Sequence, residues 1–391
     1  MPPSSPVRRP LAGRLSCWCL ALAAALVVLP VRADAEPVST RLHQAELTRI
    51  YAPLDHPWSL AFLPDGAFLI TERPGRLLLL SRAGGNPVTV TGTPDVWATG
   101  QGGLLDVAVD PDFARTGLIY LSYAEAGPGG AGTAVARGRL VRTETGATLN
   151  NVQVIFRQTP KTSGGNHFGS RLVFAPDGSL FITLGERNLK DPAQDLTTTL
   201  GKVVRILPDG RVPDDNPFAA RPGGARPEIW SSGHRNIQGA AIEPTTGNLW
   251  IVEHGARGGD EVNVPLPGRN YGWPVITHGV DYSGARIGIG TAAPGMEQPI
   301  TYWTPSIAPS GLAFYTGSAF PHWQGDAFVG ALAGQALVRL DLNRGVIVGQ
   351  ERLLDHRIGR IRDVRVGPDG ALWLLTDADA GALWRLGPAT P

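Results

Sequence analysis

Cysteine is almost absent from this chain. The 391 residues include two, Cys17 and Cys19, and both lie within the first 35 residues. A chain that loses this segment keeps no thiol, so it forms no disulfide and offers neither a cysteine nucleophile nor thiolate ligands for zinc. A catalytic site must therefore be built from other side chains.

An excess of charge of either sign is also absent. The chain has 35 Lys and Arg against 34 Asp and Glu, a formal charge of +1. Without residues 1–35 the counts are 31 and 33, and the formal charge is −2. Nucleic-acid binding depends on concentrated basic residues, so the composition indicates no nucleic-acid partner.

The third absence is that of long helical patterns. No stretch keeps a sustained helical period, whereas 50 Gly and 34 Pro suit many short strands joined by tight turns. We expect an all-β protein, with at most a short helix around residues 195–200.

The N-terminal segment has the pattern of a secretory signal. Three arginines precede an apolar run over residues 15–29, and Ala33-Asp34-Ala35 follows as a small-residue cleavage site. The run is short for a membrane span. We expect a cleavable signal peptide over residues 1–35, a secreted or periplasmic protein and no stable membrane insertion. A retained N-terminal anchor is the alternative, and the export route stays open.

One sequence pattern occurs six times. Each copy has a short apolar strand, a turn rich in Pro, Asp and Gly, and a second strand that ends in Thr or an acidic residue. The copies begin at Trp58, Leu104, Arg171, Gly239, Gly311 and Ile361. The spacing between successive copies is typical of four-stranded blades repeated around an axis. We predict a single six-bladed β-propeller over residues 36–391, closed by a strand from residues 41–51 that pairs with the last blade.

Loops between blade strands converge at one end of a propeller, so chemistry is expected there. His167 lies between glycines just before the third copy and could act as a general base, or be an ordinary polar loop residue. Arg235 and Asn236 precede the fourth copy and offer a cation and an amide to a polar ligand. Gln101, in Gly100-Gln101-Gly102-Gly103, is either a further amide or part of a turn.

Two further stretches indicate binding of ions. Residues 253–261 place carboxylates among glycines whose carbonyls could bind Ca²⁺, although the spacing is not that of an EF-hand. Arg360 and Arg362 are two residues apart in a strand, so their side chains share one face. Two adjacent cations indicate an anion between them, such as a carboxylate or phosphate of a ligand, unless solvent relieves the repulsion.

Six motifs together resemble the soluble quinoprotein sugar dehydrogenases, the pyrroloquinoline quinone (PQQ)-dependent glucose and aldose sugar dehydrogenases, which are six-bladed propellers. The motifs occur in the family's order and cover nearly the whole mature chain. They are GQGGLL from Gly100, NHFGSRLVF from Asn166, GHRNIQG from Gly233, NYGWP from Asn270, IAPS from Ile307 and RIRDV from Arg360.

The resemblance implies oxidation of aldose sugars at C1 to lactones, with PQQ and Ca²⁺ as cofactors and an unidentified electron acceptor. It implies that His167 is the catalytic base and that Arg235 stabilises negative charge on the quinone oxygen. The positions matching cofactor contacts are Gln101, Arg235, Asn236, Ser306, Arg360 and Arg362. The backbone carbonyls of Gly255 and Ala256 match ligands of the catalytic Ca²⁺, while Glu261, Tyr271 and Asp281 match a second, structural Ca²⁺ site.

Two positions depart from the dedicated glucose enzymes. Asn166 stands where they have Asp before the catalytic histidine, so the imidazole needs another partner, either a neutral group or another carboxylate. Ala333 stands where they have a lysine that helps to hold PQQ, a role that Arg257 or Lys161 could fill. The shorter loops look more like the broader aldose sugar dehydrogenases. The alternatives are a Ca²⁺-dependent lactonase or other hydrolase, and a secreted propeller that only binds.

Overall fold

Strands account for nearly all of the regular structure. The computed structural model describes residues 1–3, 35–81, 85–144, 146–220 and 223–389. Ala33–Pro391 is one compact unit and Met1–Arg32 is another. The predicted signal peptide falls mostly on residues 4–34, which lie outside the described residues. None of the helices in the described ranges is long and apolar enough to cross a membrane.

The first ten strands run from residue 35 to residue 157, with the one-turn helix α1 (Phe113–Thr116) between β7 and β8. They are β1 (Ala35–Ser39), β2 (Gln44–Leu54), β3 (Pro57–Phe62), β4 (Phe68–Glu72), β5 (Leu77–Leu80), β6 (Val88–Thr91), β7 (Leu104–Val109), β8 (Leu118–Gly127), β9 (Gly130–Arg142) and β10 (Ala147–Arg157).

The remaining strands run from residue 169 to residue 388. They are β11 (Gly169–Phe174), β12 (Leu180–Leu184), β13 (Lys202–Ile206), β14 (Ile229–Ser232), β15 (Ile237–Ile242), β16 (Leu249–Glu253), β17 (Asp260–Asn263), β18 (Thr301–Trp303), β19 (Pro309–Phe314), β20 (Ala327–Ala331), β21 (Ala336–Asn343), β22 (Val346–Leu353), β23 (Ile361–Val366), β24 (Leu372–Thr376) and β25 (Gly381–Pro388). Short 3-10 helices cover Asp191–Gln194 and Pro321–Trp323.

The predicted helix at residues 195–200 is wrong in position. The helical turn at Asp191–Gln194 ends at Asp195, whose Oδ1 accepts hydrogen bonds from the Thr197 backbone N–H at 2.8 Å and the Thr197 hydroxyl at 2.7 Å. An aspartate that binds the backbone two residues ahead forms a turn in place of a helix.

The strands form five sheets. Three have four strands each, in the orders β11-β12-β13-β14, β15-β16-β17-β18 and β19-β20-β21-β22. An eight-stranded sheet has the order β3-β4-β5-β6-β10-β9-β8-β7, and its two halves meet through the parallel pair β6 and β10. The fifth sheet, β1-β2-β25-β24-β23, joins strands from the start and the end of residues 35–389, and its antiparallel β2–β25 pairing confirms the predicted closing strand.

Each sequence repeat coincides with one antiparallel hairpin. The six hairpins are β3–β4, β7–β8, β11–β12, β15–β16, β19–β20 and β23–β24. Their first strands contact one another in succession, and β23 contacts β3, so the contacts form a closed cycle. Second strands such as β4 and β16 are buried along their whole length because other sheets cover both of their faces.

Arg171 is the centre of a charged cluster that links these first strands. Its side chain is 2% exposed, and its Nη1 lies 3.0 Å from Asp363 Oδ1 and 3.4 Å from Asp106 Oδ1. Arg365 contacts the same two carboxylates at 2.9 and 3.2 Å. Two arginines and two aspartates therefore compensate one another in a region where a lone charge would be strongly destabilising. We name these four residues the axial cluster.

The backbone of neighbouring strands completes the axial cluster. Asp106 accepts from the Leu172 N–H at 2.8 Å, and Asp363 accepts from the Leu60 N–H at 3.0 Å. Arg171 Nε donates to the Gln238 carbonyl at 2.7 Å and its Nη2 donates to the Arg362 carbonyl at 3.3 Å. Strands β3, β7, β11, β15 and β23 are thus joined through one set of side chains.

We expect Arg171→Met to lower the free energy of unfolding by about 3–5 kcal/mol, because it leaves buried carboxylates partly uncompensated. Urea denaturation followed by tryptophan fluorescence measures this change. The control is Arg211→Met, which removes an exposed arginine paired with Asp209 at 2.7 Å and should cost less than about 1 kcal/mol. Equal losses in the two variants would contradict a central role for the axial cluster.

Candidate active site

Two adjoining cavities contain most of the predicted site residues. The first, which we call the arginine cavity, has about 590 Å³ of space, part of it open to solvent. It is lined by Trp58, Arg73, Gln101, Leu105, Phe168, Gly169, Asn236, Gln238, His254, Ala308, Leu332, Arg360, Arg362 and Asp377. The second, the glycine-loop cavity, shares His254 and Ala308 with the first and includes Gly255, Ala256, Arg257, Ser306 and Ala333.

His167 is held beside the arginine cavity by a buried carboxylate. The loop before β11 carries His167, and the loop after β12 carries Glu186. The His167 Nδ1 and Glu186 Oε1 atoms are 2.9 Å apart, and both side chains are buried. A carboxylate only accepts hydrogen bonds, so Nδ1 carries the proton of a neutral imidazole and Nε2 carries the lone pair. This chain has Asn166 where the glucose enzymes have Asp, so the imidazole needs another partner. Glu186 is that partner.

The surroundings of His167 keep its imidazole neutral. Burial lowers the pKa of His167 below its ordinary value, and the cations Arg235 and Arg187 lower it further, against the opposing effect of Glu186. Burial acts to raise the pKa of Glu186, but the hydrogen bond from His167 and the nearby cations hold that pKa below its ordinary value. The pair therefore consists of a neutral imidazole and an ionised carboxylate, which suits a general base.

Arg235 and Asn236 lie in the loop before β15. Arg235 is 5% exposed, donates from Nη1 to the His254 carbonyl at 3.2 Å and lies over the ring of Trp273. Its Nε is buried and lacks a hydrogen-bond partner among the described residues. Asn236 lines the arginine cavity, and its Oδ1 accepts from the Gly169 N–H at 3.2 Å.

Arg360 and Arg362 share one face, as predicted. A carboxylate of the protein itself, that of Asp377, lies against both arginines. Both donate to Asp377 Oδ2, at 3.2 Å from Arg360 and 2.8 Å from Arg362. Burial acts to raise the pKa of Asp377, yet the two arginines and His56 hold that pKa far below its ordinary value. Arg362 also donates to Gln238 Oε1 at 2.9 Å, while its buried Nε has no partner in the described part of the chain.

Gln101 supports the histidine loop in addition to lining the arginine cavity. Its side-chain Oε1 accepts from the His167 N–H at 2.8 Å, and its own N–H donates to the Gly165 carbonyl at 2.7 Å. Gly100 makes this close approach possible, because an added Cβ would lie 2.6 Å from the Gly165 carbonyl oxygen. The oxygen of the predicted amide therefore binds the backbone of His167.

Asp260 connects the predicted metal-binding glycine to Ser306. Its Oδ1 accepts from the Gly255 N–H at 2.8 Å, and its Oδ2 accepts from the Ser306 hydroxyl at 2.7 Å and from the Ile307 and Ala308 N–H groups. Gly255, Ala256 and Ser306 line the glycine-loop cavity. Asp260 thus fixes the relative position of the two loops that form this cavity.

The three residues predicted for a second Ca²⁺ site have separate partners. Asn263 Nδ2 donates to Glu261 at 2.9 Å and to Glu253 at 3.2 Å, and burial beside Glu253 raises the pKa of Glu261 to about 8. The Tyr271 ring stacks on His234, while Asp281 pairs with Lys190 at 3.0 Å. No group of three or more His, Cys, Asp or Glu side chains within the described ranges is arranged to hold a metal.

The next question is which cation lies near Ala333, the position where the glucose enzymes have a lysine. Ala333 and Arg257 both line the glycine-loop cavity. Lys161 instead binds Glu125 Oε2 at 2.5 Å and the Ala126 carbonyl at 2.8 Å, and it lines neither cavity. Of the two cations suggested as replacements for the missing lysine, Arg257 is therefore the one beside the site.

Sequence reasoning did not name Glu186 and Asp377, and it quoted Asp260 and Gln238 within motifs without giving them a role of their own. A signal for two of them was present in the repeats, whose second strands end in Thr or an acidic residue. Glu186 follows β12 by two residues and Asp377 directly follows Thr376, the last residue of β24. The acidic ends of the repeats thus lie at the site.

The fold and this site together define a β-sheet enzyme in which a neutral histidine lies beside a cationic cavity. Residues 54–385 match the family described as glucose/sorbosone dehydrogenase. The aldose sugar dehydrogenase YliI of Escherichia coli is 50% identical over 339 residues, which cover 86% of this chain and 91% of that protein.

Solved structures agree with this result. The apo-form of the soluble aldose sugar dehydrogenase of Escherichia coli is 48% identical with a TM-score of 0.85, covering 88% of this chain and all of that one. The PQQ-bound aldose sugar dehydrogenase of Streptomyces coelicolor is 27% identical with a TM-score of 0.72, covering 91% and 99%. The chain belongs to the glucose/sorbosone dehydrogenase family and is an oxidoreductase.

We expect Glu186→Gln to lower the pKa of His167 by about one unit, because it removes the charge that favours the imidazolium. Histidine ¹H–¹³C NMR titration measures this pKa, with His167→Gln identifying the resonance. The matched control is Glu253→Gln, since Glu253 binds His234 Nδ1 at 2.8 Å in the neighbouring sheet. A His167 resonance that titrates alike in both variants would show that Glu186 is not its electrostatic partner.

Proposed function

We propose that this protein oxidises aldose sugars at C1 to the corresponding lactones, with PQQ and Ca²⁺ as cofactors and His167 as the general base. The observation that carries this proposal is the neutral imidazole of His167, paired with the Glu186 carboxylate, beside a cavity lined by arginines. Such a cavity suits an anionic cofactor, and a neutral buried histidine suits removal of a proton from a hydroxyl.

We further propose that the chain forms a six-bladed propeller. The eight-stranded sheet then contains two blades, β3–β6 and β7–β10, joined at the outer strands β6 and β10. The cyclic contacts among the six first strands support this interpretation. A mature chain of one propeller from residue 36, exported to the periplasm or secreted, is consistent with the sequence pattern of residues 1–35.

The residues present fit PQQ, which carries three carboxylates. Arg360, Arg362 and Arg73 line the arginine cavity, and Arg235 lies beside it. The buried Nε atoms of Arg235 and Arg362 remain available as donors. Asn236 and Gln101 would add amide contacts, and Ser306 would act from the adjoining cavity. When bound, PQQ supplies a quinone that accepts a hydride from the sugar.

The residues near Gly255 fit Ca²⁺ less directly. The carbonyls of Gly255 and Ala256 would hold the catalytic ion, since Ca²⁺ takes oxygen ligands and Asp260 fixes this loop. For the second ion, Glu261 has a close carboxylate neighbour in Glu253, and the buried Asn263 Oδ1 has no partner among the described residues. A cation there would relieve the repulsion between two buried carboxylates. Tyr271 and Asp281 do not fit this site, because the Tyr271 hydroxyl binds the backbone of residues 264 and 266 and Asp281 pairs with Lys190.

In this mechanism His167 Nε2 accepts the proton of the anomeric hydroxyl while the hydride leaves C1. Glu186 keeps Nδ1 protonated and stabilises the imidazolium that forms. Arg235 supplies a fixed positive charge for oxygen that becomes negative, and its burial makes this charge effective. His167 is 6% exposed, and this burial favours the neutral imidazole that can accept the proton.

Dye-linked oxidation of glucose and other aldoses by the mature protein, with and without PQQ and Ca²⁺, tests the function. We expect turnover only when both cofactors are present. His167→Ala should abolish turnover and leave PQQ binding intact. Turnover without PQQ, or unimpaired turnover by His167→Ala, would refute the proposal, while absence of both turnover and PQQ binding would favour the hydrolase or binding alternatives.

We expect Arg362→Met to weaken PQQ binding by about ten- to hundredfold, as for loss of one charged hydrogen bond. Absorbance titration of the apo-protein with PQQ measures the dissociation constant. The control is Arg357→Met. Arg357 lies in the segment that precedes β23 and pairs with Glu36 at 2.8 Å. Equal dissociation constants in the two variants would exclude Arg362 as a cofactor contact.

Millimolar Ca²⁺ should raise the melting temperature of the apo-protein by about 2 °C or more, because a ligand of the folded state stabilises it. Glu261→Gln should remove most of this increase. Glu297→Gln, which affects a carboxylate paired with Arg269 at 3.4 Å, should keep it. Differential scanning calorimetry gives the comparison, and an undiminished Ca²⁺ effect in Glu261→Gln would rule out this second site.

A further inference from the structure

Arg187 is a buried arginine with an unusual set of partners. It directly follows Glu186, its residue is 2% exposed, and its guanidinium lies over the Phe168 ring at 3.4 Å. The described residues include no carboxylate that forms a salt bridge with it. A buried guanidinium without a paired anion is costly, so its contacts must serve another purpose.

Those contacts are concentrated on the loop that carries the base. Arg187 Nη1 donates to the Asn166 carbonyl, Nη2 donates to the Gly164 carbonyl at 2.6 Å, and the Arg187 N–H donates to the His167 carbonyl at 3.3 Å. Arg187 therefore binds the backbone on both sides of the histidine. Its planar, rigid donors suit two carbonyls of one loop in a way that a lysine ammonium does not.

The histidine loop needs such support because its backbone is strained. His167 has φ = +54° and Arg187 has φ = +61°, both in the left-handed region that non-glycine residues seldom adopt. These conformations persist only where the surroundings determine them. Gly185 lets the two loops approach, since a Cβ there would lie 2.1 Å from the His167 carbonyl oxygen.

We propose that Arg187 is a positioning residue that holds the His167 loop in its active conformation and, through its charge, keeps the imidazole neutral. The inference rests on the proposed role of His167 as base. The proposal also explains how His167 is oriented in a chain that has Asn166 before it. Glu186 orients the ring, and Arg187 and Gln101 fix the backbone.

The ionisable groups that face His167 come from three loops. Glu186 and Arg187 follow β12 and Arg235 precedes β15, while His254, which follows β16, is neutral because burial lowers its pKa to about 3. Glu186 favours the imidazolium, while Arg187 and Arg235 oppose it. The ionic environment of the base is thus a balance in which Arg187 contributes one of two cations.

Two substitutions separate the roles of geometry and charge. Arg187→Met removes both, so we expect kcat to fall about a hundredfold, as for a small displacement of a catalytic group. The acid limb of the kcat/KM pH profile should move to higher pH by about one unit. Arg187→Lys retains the charge without the planar donors, so kcat should fall about tenfold while the acid limb stays in place.

Three further measurements make the result specific. The dissociation constant of PQQ should change less than about threefold, because Arg187 does not line the arginine cavity. NMR titration of the apo-protein should show a raised pKa of His167 in Arg187→Met. Arg205→Met is the matched control, since Arg205 is also a buried arginine over an aromatic ring, Trp230, and should lower stability without moving the pH profile.

An unchanged kcat and acid limb in Arg187→Met would overturn the inference. So would equal losses of kcat in the Met and Lys variants with no movement of the acid limb, because that result describes a purely structural residue. If the wild-type protein shows no sugar oxidation with PQQ and Ca²⁺, the proposed function fails. The NMR titration still decides, in that case, whether Arg187 controls His167.

Discussion

The compensation of two buried aspartates by two arginines in the axial cluster is the constraint on which the site depends. Arg171 binds the carbonyls of Gln238 and Arg362, and the side chains of those two residues line the arginine cavity. Its guanidinium also lies 4.1 Å from the centre of the Trp58 ring, another part of the cavity lining. The charges that join the first strands therefore also form the support beneath the cavity.

A second regularity is that carboxylates at the ends of the second strands, or just after them, bind residues at or before the starts of the first strands. Glu186 binds His167, Glu253 binds His234 and the Arg235 N–H, and Asp377 binds Arg360 and Arg362. Glu72 accepts from the Asp55 N–H at 2.7 Å in the same way. In four of the six repeats, the antiparallel hairpin thus brings an acidic end beside the chain that enters the first strand, and in three of them that chain carries predicted site residues.

The repeats made the fold class predictable, because apolar strands and Pro-Asp-Gly turns depend on local sequence. The candidate loops were found for the same reason, together with the family's motifs. The partners of those loops were not found, since Glu186 and Asp377 lie about 15 to 20 residues away along the chain, and only the strand register brings them into contact. Asp260 was quoted within a motif, but its bonds to the Ser306 loop cross between sheets.

The electrostatics of the site set two requirements that the same residues satisfy. An anionic cofactor requires exposed or unpaired donors, and Arg360 and the Nε atoms of Arg235 and Arg362 provide them. A histidine base requires a neutral ring, which positive surroundings favour. Arg235 would attract an anionic cofactor and also lowers the pKa of His167, while Glu186 opposes this effect, so that in the proposed mechanism the imidazole can still accept a proton. This balance explains why a single carboxylate is paired with His167 while arginines surround it.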